Sequence, residues 1–255
     1  MKGLGIALAM YSKIPMPNLD FSEKNRRYAI CFFPVVGVII GVAMYAFYAS
    51  IAYLIRSGVV VSEGFYTALM LAIPVVITGG IHIDGYMDTQ DALHSYQSKE
   101  RKLEILKDSH VGAFAVIMLL LYYLVLYGAY SQIFMPQQVV MLGISFILSR
   151  CLSGLAVVSF QGARTEGMLY SFSSTAHKVV VKSVLFVMLA AVFIGLCVMD
   201  IKTGSMVVAG NVFLFLYYKY KAYKEFGGIT GDLAGWYLQL SELVSALLIA
   251  GGTLL

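Results

Sequence analysis

Seven apolar stretches, most of them about twenty residues long, constrain the fold of this chain more than any other feature. A helix needs about twenty apolar residues to cross the hydrocarbon core of a bilayer. Only 13 % of the 255 residues are charged, about half the share found in soluble domains. Because backbone groups facing lipid must be paired within their own segment, each stretch should be helical. We therefore predict an all-α fold, a polytopic transmembrane helix bundle of about seven spans that forms one integral-membrane domain over residues 1–255.

Hydropathy sets the limits of the spans, and the first span carries residues that disturb a regular helix. Pro34, Gly37 and Gly41 predict either a kink in that span or a close contact with another helix. The predicted spans are approximately Tyr28–Ile55, Phe65–Ile83, Val111–Phe134, Val139–Phe160, Val179–Met199, Met206–Tyr220 and Leu233–Leu255.

The distribution of Lys and Arg predicts the orientation of the chain. Both are concentrated in the N-terminal segment and in every second connection between spans. Since positively charged loops stay on the cytoplasmic side, we predict a multi-pass protein of the cell membrane with a cytoplasmic N-terminus. Residues 1–27 form a cytoplasmic or interfacial segment. Within it, Leu4–Ile14 predicts either an interfacial helix or a re-entrant hairpin broken at Pro15 and Pro17.

Other features of composition argue against several protein classes. The first apolar stretch, Met1–Ala9, is short and lacks a cleavage site, so no cleavable signal peptide is expected. The net charge of +4 gives no indication of nucleic-acid binding. The cysteines lie far apart in apolar runs, which predicts packing residues and neither a disulfide framework nor a metal site. They are Cys31, Cys151 and Cys197.

Three carboxylates at helical spacing form the most informative motif. Asp84, Asp88 and Asp91 occupy positions i, i+4 and i+7, which share one face of a helix. Carboxylates this close repel one another unless a cation lies between them, and Mg²⁺ commonly joins carboxylates to substrate phosphates. The alternative is a solvated acidic helix end. The position directly after a membrane span and the abrupt Gly79–Gly80 pair favour a metal and phosphate site, in a cytoplasmic catalytic loop at residues 84–110.

Two further stretches fall on the same predicted cytoplasmic side. In residues 98–112, Ser98 is a plausible helix N-cap, and Arg101, Lys107 and Asp108 could bind phosphate or assist its transfer. An ordinary amphipathic loop helix is the alternative there. In residues 226–242, several glycines permit close backbone approach, and Asp232 at the start of the last span is either a helix cap or a group converging on the acidic motif.

Polar residues inside the predicted spans form a third group. Arg150 and Glu242 lie deep in the membrane, where charges are expensive and usually face the bundle interior or a water-filled cavity. The two side chains are expected either to pair with each other or to line a substrate cavity, with a purely structural pair as the alternative. His82 points away from Asp84 on a helix, and it is either a proton carrier, a group supporting the site or an interfacial polar residue.

Four motifs, taken in order, resemble one known family over nearly the whole chain, the cobalamin synthases, which are adenosylcobinamide-GDP ribazoletransferases. Lys13 stands where the family usually has Arg, Ala92 where Gly is usual, and Gln239 where Glu is common. The matching motifs are Lys13-Ile14-Pro15-Met16-Pro17 with Phe33-Pro34-Val35-Val36-Gly37, Gly79-Gly80-Ile81-His82-Ile83-Asp84-Gly85 with Asp88 and Asp91, Leu103-Glu104-Ile105-Leu106-Lys107-Asp108-Ser109 with Gly112, and Gly227-Gly228-Ile229-Thr230-Gly231-Asp232 with Glu242.

The resemblance implies a Mg²⁺-dependent membrane enzyme of cobalamin biosynthesis. Such an enzyme joins adenosylcobinamide-GDP to α-ribazole or its 5′-phosphate, releases GMP, and gives adenosylcobalamin or its phosphate. On this basis the expected catalytic residues are Asp84, Asp88, Asp91, His82 and Asp108, the first three also as metal ligands. The expected binding residues are Arg101, Lys107, Arg150, Gly228, Thr230, Asp232 and Glu242. The sequence leaves the oligomeric state open, a homo-oligomer included.

Two other functions remain as alternatives. A phosphotransferase acting on CDP-activated alcohols also uses aspartates on membrane helices, but it needs an Ala-Arg pair soon after the first Asp-Gly, and here Tyr86-Met87 follows. A secondary transporter would use Arg150 and Glu242 as intramembrane coupling charges. Transporters often contain inverted repeats, and the sequence shows none.

Overall fold

The computed structural model describes residues 2–252, which form an all-α bundle. Within that range the only paired extended backbone is an isolated parallel bridge between Gly162 and Ile229, and the three cysteines are free thiols. The helices are α1 Lys2–Tyr11, α2 Glu23–Arg26, α3 Phe33–Arg56, α4 Glu63–Thr78, α5 Ile81–His94, α6 Lys99–Ile105, α7 Ala113–Tyr130, α8 Pro136–Ser159, α9 Met168–Thr175, α10 Lys178–Met199, α11 Ile201–Phe226 and α12 Gly231–Gly252, with a 3-10 turn at Ala29–Phe32.

Six helices in the described part of the chain are long and apolar enough to cross a membrane. A seventh crossing exists if α4 and α5, which meet at an angle of 95°, are counted as one broken span. This confirms the predicted bundle of about seven spans. The last residues of the final predicted span lie outside the described residues, and the orientation of the bundle in the membrane stays a prediction.

Helices α8 and α12 form the centre of the bundle. Helix α8 packs against α3, α10 and α12, and α12 packs against α5, α7 and α11. Both are buried over most of their length, whereas α10 on the outside exposes large apolar side chains such as Phe186, Val187 and Val198. Because lipid is the solvent that such a surface prefers, the outer helices are the lipid-facing ones.

The small residues of the first span make the predicted close contact with another helix. A Cβ atom built on Gly37 would lie 2.5 Å from the carbonyl oxygen of Phe146, and one on Gly41 would lie 2.8 Å from the Cα of Gly143. The backbones of α3 and α8 therefore touch, as small-residue motifs allow in membranes. Pro34 lies in the first turn of α3, where proline is well tolerated. The helix α3 starts at Phe33, whereas the span was predicted to start at Tyr28.

The structure defines the helix of the N-terminal segment and the end of the sixth span. Residues Lys2–Tyr11 form one continuous helix with Ile6 fully buried, and residues 13–22 are not helical. The structure thus has a helix in the N-terminal segment, and its position relative to the bilayer stays a prediction. At the other end, the sixth span was predicted to stop at Tyr220, but α11 continues to Phe226. A helix can continue beyond the bilayer with Lys side chains on its last turns. The Lys residues that follow the apolar stretch therefore do not mark the end of this helix.

Candidate active site

A sharp bend after α4 sets the direction of the helix that carries the acidic motif. Gly79 and Gly80 both have positive φ values, 68° and 77°, which glycine adopts without the steric cost of a Cβ atom. The backbone N–H of Lys13 donates to the carbonyl of Ile77 at 2.8 Å, and the Lys13 side chain lies against Gly79. The N-terminal segment therefore holds the bend, from which α5 turns back against the bundle.

Two glycines let α5 and α12 approach until their backbones touch. A Cβ atom on Gly85 would lie 2.8 Å from the carbonyl oxygen of Asp232, and one on Gly235 would lie 3.0 Å from that of His82. This contact places the start of α12 beside the first turn of α5. The convergence of Asp232 on the acidic motif, which the sequence left open, is thus present in the fold, with both Asp84 and Asp232 lining one cavity.

Asp84 and Asp88 are carboxylates without partners. Within residues 2–252 neither side chain forms an ion pair or hydrogen bond. Asp88 is half-buried, and the nearby carboxylates of Asp84, Asp232 and Asp91 add like charge around it. Crowded carboxylates of this kind attract a cation.

Asp91 has a different environment from the other two residues of the motif. The Gly112 N–H donates to one of its carboxylate oxygens at 2.6 Å, and the Ala115 N–H donates to the other at 2.8 Å. Gly112 is the N-cap residue of α7, so Asp91 satisfies donors that the first turn of a helix leaves unpaired. Its negative charge is also favourable at that end of the helix dipole.

The donor groups present suit Mg²⁺ by their chemistry, although they do not form a closed cage. Among the described residues, no three His, Cys, Asp or Glu side chains are grouped closely enough to hold a metal ion. Mg²⁺ is commonly held by one or two carboxylates, with water and phosphate oxygens completing its shell. The unpaired Asp84 and Asp88 supply such a pair. The ligand roles predicted for Asp84, Asp88 and Asp91 stay predictions.

A cavity of about 310 Å³ opens beside Asp84 and Asp232. It lies between α1, α3, α5, α8, α9 and α12, and most of its walls are apolar or aromatic. A second cavity of about 170 Å³ also contains Asp232 and adds Arg164, whose cationic side chain the sequence interpretation treated only as a loop charge. The volume of the larger cavity lies at the lower end of the range typical of small-molecule sites.

His82 lies in the wall of the larger cavity. Its ring stacks on Tyr11 with centroids 6.3 Å apart and lies 5.8 Å from the ring of Phe33. The side chain is buried, and its Nδ1 atom has no hydrogen-bond partner among residues 2–252. His82 belongs to the cavity, while its predicted part in proton transfer stays a prediction.

The segment named above as a catalytic loop is largely helical, since it comprises α5 and α6. The predicted N-cap is confirmed: the Ser98 hydroxyl accepts from the Arg101 N–H. Two of the predicted phosphate-binding side chains form exposed ion pairs, Arg101 with Glu104 at 2.5 Å and Lys107 with Glu166 at 3.5 Å. Such exposed pairs exchange readily with other anions because they contribute little stability.

Asp108 is exposed and does not line the cavity that contains Asp84. Its carboxylate accepts from the backbone N–H of His110 at 3.0 Å and contacts the His110 ring nitrogen Nδ1 at 2.7 Å. These hydrogen bonds, with a smaller contribution from Arg101, hold the pKa of the Asp108 carboxyl below its usual value. The structure therefore does not place Asp108 with the unpaired carboxylates.

An interhelical ion pair missed by the sequence interpretation fixes α6. The buried Lys102 ammonium contacts the Glu225 carboxylate near the end of α11 at 2.6 Å. The Arg164 guanidinium contacts the carbonyl of Leu103, which ties the loop after α8 to the same helix. No local pattern reveals these pairs, because their partners are 123 and 61 residues apart in the chain.

The glycine-rich motif before α12 joins that helix to the loop after α8. A Cβ atom on Gly228 would lie 2.6 Å from the carbonyl oxygen of Gln161, and the Ile229 N–H donates to the same oxygen at 2.9 Å. The hydroxyl of Thr230 accepts from the Leu233 N–H at 3.2 Å. Gly228 and Thr230 therefore shape the backbone next to Asp232, and a direct contact with substrate stays a prediction.

Arg150 and Glu242 pair with each other in the centre of the bundle. Their side chains are 1 % and 6 % exposed and form a salt bridge between α8 and α12. The guanidinium also contacts the Ser149 hydroxyl at 2.9 Å. The cavity beside the pair measures only about 20 Å³, room for about one water molecule. Of the two sequence-based expectations, pairing is the one observed.

Comparison with known proteins decides the family. The profile described as cobalamin-5-phosphate synthase matches residues 3–250. The chain belongs to the cobalamin-5-phosphate synthase family. It is 41 % identical to the adenosylcobinamide-GDP ribazoletransferase of Lachnoclostridium phytofermentans, over 100 % of this chain and 96 % of the relative. It is 34 % identical to the proteins of the same name from Clostridium botulinum strain Alaska E43, covering 95 % and 94 % of the two chains, and Treponema denticola, covering 95 % of both.

Parts of three of the four family motifs line the two cavities. They are Phe33, Asp84 with Gly85, and residues 229–232. No solved structure matches the chain.

Proposed function

We propose that this chain is a Mg²⁺-dependent adenosylcobinamide-GDP ribazoletransferase. The observation that carries the proposal is that the carboxylates of Asp84 and Asp88 are unpaired and lie near Asp232, while Asp84 and Asp232 line a cavity of about 310 Å³. Membership of the synthase family supplies the substrates, adenosylcobinamide-GDP and α-ribazole or its 5′-phosphate. The product is adenosylcobalamin or its 5′-phosphate, made in cobalamin biosynthesis.

The reaction is a displacement at phosphorus. A ribose hydroxyl of the acceptor attacks the phosphorus bonded to the cobinamide side chain, the phosphoanhydride bond breaks, and GMP leaves. Because the family description names a 5-phosphate product, the attacking hydroxyl is not the one at the 5′ position. The hydroxyl proton passes to a carboxylate that lines the cavity and acts as the general base.

Asp84 and Asp88 would hold Mg²⁺, with Asp91 supporting them by fixing α7 against α5. When bound, the metal ion supplies neutralising charge for the pyrophosphate and the departing GMP. Asp84 and Asp232 line the same cavity, and either is a candidate for the base. Arg164, from the adjoining cavity, and the exposed Lys107 and Arg101 provide positive charge for phosphates.

The Arg150–Glu242 pair favours an enzymatic function over a transport function. The two charges neutralise each other, and the cavity beside them holds about one water. A transport site at that depth needs room for its substrate. We propose further that the site faces the cytoplasm of a cell membrane, as the positive charges of the same end indicate.

The test is a turnover assay with the purified chain in liposomes. Adenosylcobinamide-GDP and α-ribazole 5′-phosphate are supplied with and without Mg²⁺, GMP is quantified by chromatography, and the corrinoid product by mass spectrometry. We expect metal-dependent release of one GMP per corrinoid product. Glu63→Gln, which removes an exposed carboxylate from the first turn of α4, serves as the control variant and should retain full activity. A folded, metal-supplied protein that releases no GMP would contradict the proposal.

A further inference from the structure

The cationic side chain of Arg164 is held in place by a neighbouring helix. Its guanidinium donates to the main-chain carbonyl of Leu103, in the last turn of α6. Carbonyl groups in the last turn of a helix have no donor within that helix, so this contact satisfies one of them. Arg164 also lines the cavity of about 170 Å³ together with Asp232. The position of the guanidinium at this cavity therefore depends on where α6 lies.

Helix α6 is too short to be stable without contacts to other helices. It has 7 residues, Lys99–Ile105, and isolated helices shorter than about twelve residues are marginal in water. Its Lys102 side chain is buried, and the ammonium contacts the Glu225 carboxylate of α11 at 2.6 Å. The Lys99 ammonium donates to the carbonyl of Tyr223 at 3.3 Å. The end of α11 therefore holds α6, with one of the two contacts a buried ion pair.

The same end of α11 also contacts the loop that carries Arg164. The Tyr223 hydroxyl accepts from the Gln161 N–H at 2.7 Å, so α11 contacts α6 and this loop at neighbouring positions. The Lys107–Glu166 pair, 3.5 Å long, also links the two segments, but both side chains are exposed and such pairs contribute little. Breaking a buried ion pair is far more costly, because it leaves a buried charge unpaired. The pair between α6 and α11 is therefore the stronger constraint.

We propose, resting on the function above, that the Lys102–Glu225 ion pair is a positioning element of the active site. By holding α6 against α11, it keeps the Arg164 guanidinium oriented to bind a phosphate of adenosylcobinamide-GDP. Lys102 and Glu225 line neither of the two cavities that contain Asp232, so they act on the substrate through Arg164. A guanidinium binds phosphate best through two parallel N–H groups, which requires a fixed orientation. Without the pair, α6 shifts, the Leu103 carbonyl no longer fixes the guanidinium, and the phosphate is bound more weakly.

Steady-state kinetics in liposomes, with α-ribazole as an acceptor that carries no phosphate, test this role. Lys102→Met should raise KM for adenosylcobinamide-GDP at least about tenfold, the effect of one lost charged hydrogen bond, and leave KM for α-ribazole unchanged. A general loss of folded protein would lower the apparent kcat without changing KM. The matched control is Lys221→Met, because Lys221 contacts the same Glu225 carboxylate at 3.8 Å from within α11 and does not join it to α6. An unchanged KM for adenosylcobinamide-GDP in Lys102→Met, or an equal rise in the control, overturns the proposal.

A double-mutant cycle shows whether Lys102 acts through Arg164. Arg164→Met should raise the same KM at least about tenfold, and adding Lys102→Met should cause no further rise, because groups that act through one contact are not additive. Glu225→Gln keeps an acceptor oxygen for the Lys102 ammonium and so disturbs folding less than Lys102→Met. It should raise KM for adenosylcobinamide-GDP about three- to tenfold. Multiplied effects in the double variant, or the parent KM in folded Glu225→Gln, overturn the proposal.

A distance measurement between two spin labels keeps this inference apart from the proposed function. The labels are attached at Glu100→Cys on α6 and Thr165→Cys next to Arg164, both exposed positions, in a full-length chain whose own cysteines are replaced by serine. Double electron–electron resonance should give one narrow distance for this protein and for its Lys221→Met variant, and a broad distribution for Lys102→Met. This result would support the positioning role even in a protein that releases no GMP, where the transferase proposal alone fails. The same narrow distance in Lys102→Met overturns the positioning role.

Discussion

Two groups of charged side chains in this bundle, one at its centre and one at one end, have different environments. In the centre, Arg150 and Glu242 are fully enclosed and pair with each other. At one end, Asp84 and Asp88 have neighbours of the same charge and no partner within residues 2–252. A membrane bundle can retain the first group for architecture alone, since a paired charge is tolerated at depth. In the second group Asp84 is exposed and Asp88 is half-buried, and a bound cation would relieve the repulsion between these like charges.

Asp91 makes the comparison sharper because it belongs to the same sequence motif as Asp84 and Asp88. Its two oxygens are occupied by backbone donors of the α7 N-terminus. The motif therefore divides into unpaired carboxylates and a structural one. We therefore expect the same Asp→Asn substitution to have different effects on turnover and stability at Asp84 and at Asp91.

The largest effect is expected for Asp84→Asn. Removing this charge should lower the rate of GMP release by about a thousandfold or more, a loss of the size seen when a group stabilising transition-state charge is removed. The protein should remain folded, because the carboxylate has no partner to lose. Turnover and thermal unfolding are measured on the same liposome preparation. An active Asp84→Asn protein would remove Asp84 from the site.

Breaking the central pair should affect stability first. Glu242→Gln leaves the buried Arg150 guanidinium without its counter-charge, so we expect unfolding to become easier by about 3–5 kcal/mol. Fluorescence of the single tryptophan, Trp236, follows unfolding in detergent. The double variant Arg150→Met with Glu242→Gln should recover most of the loss. A stable Glu242→Gln protein without activity would instead indicate a catalytic or substrate-binding role for this pair.

A smaller effect is expected for Asp91→Asn. The amide retains one acceptor, so the N-terminus of α7 loses one charged hydrogen bond and about 1–2 kcal/mol of stability. Turnover measured below the unfolding temperature should stay within about tenfold of the parent rate. A folded variant as inactive as Asp84→Asn would show that Asp91 acts in the reaction itself.

The smallest effect is expected for Glu104→Gln on the exposed surface of α6. Its partner Arg101 is 62 % exposed, and solvent screens the pair, so stability should change by less than about 1 kcal/mol. Denaturation of both proteins in parallel measures this difference. A larger loss would mean that α6 depends on this pair and that Arg101 is not available to bind phosphate.

Periodicity and hydropathy were sufficient to predict the features that depend only on residues close together in the sequence. The spans, the shared helix carrying Asp84 and Asp88, and the Ser98 cap all follow from spacing and side-chain type within a few residues. The pairing of Arg150 with Glu242 was one of the two outcomes expected, since two opposite charges at similar depth in a bilayer have few other partners.

Other features depend on which helices become neighbours, and no local pattern contains that information. The use of Asp91 as a cap requires α7 to start beside α5, and the Gly85–Gly235 contact requires α12 to cross α5. Helix α9 closes one wall of the cavity although its segment has no long apolar stretch. Arg164 enters the site for the same reason, through a contact with a segment 61 residues away.

Binding of Mn²⁺ as a substitute for Mg²⁺, measured by electron paramagnetic resonance in the presence of adenosylcobinamide-GDP, tests the central claim most directly. The parent protein and the variants Asp84→Asn and Asp91→Asn are titrated under identical conditions. The unpaired-carboxylate account predicts that Asp84→Asn weakens Mn²⁺ binding at least about tenfold, while Asp91→Asn leaves it nearly unchanged. Equal weakening by both variants, or by neither, would contradict the division of the motif into a ligand-binding part and a structural part.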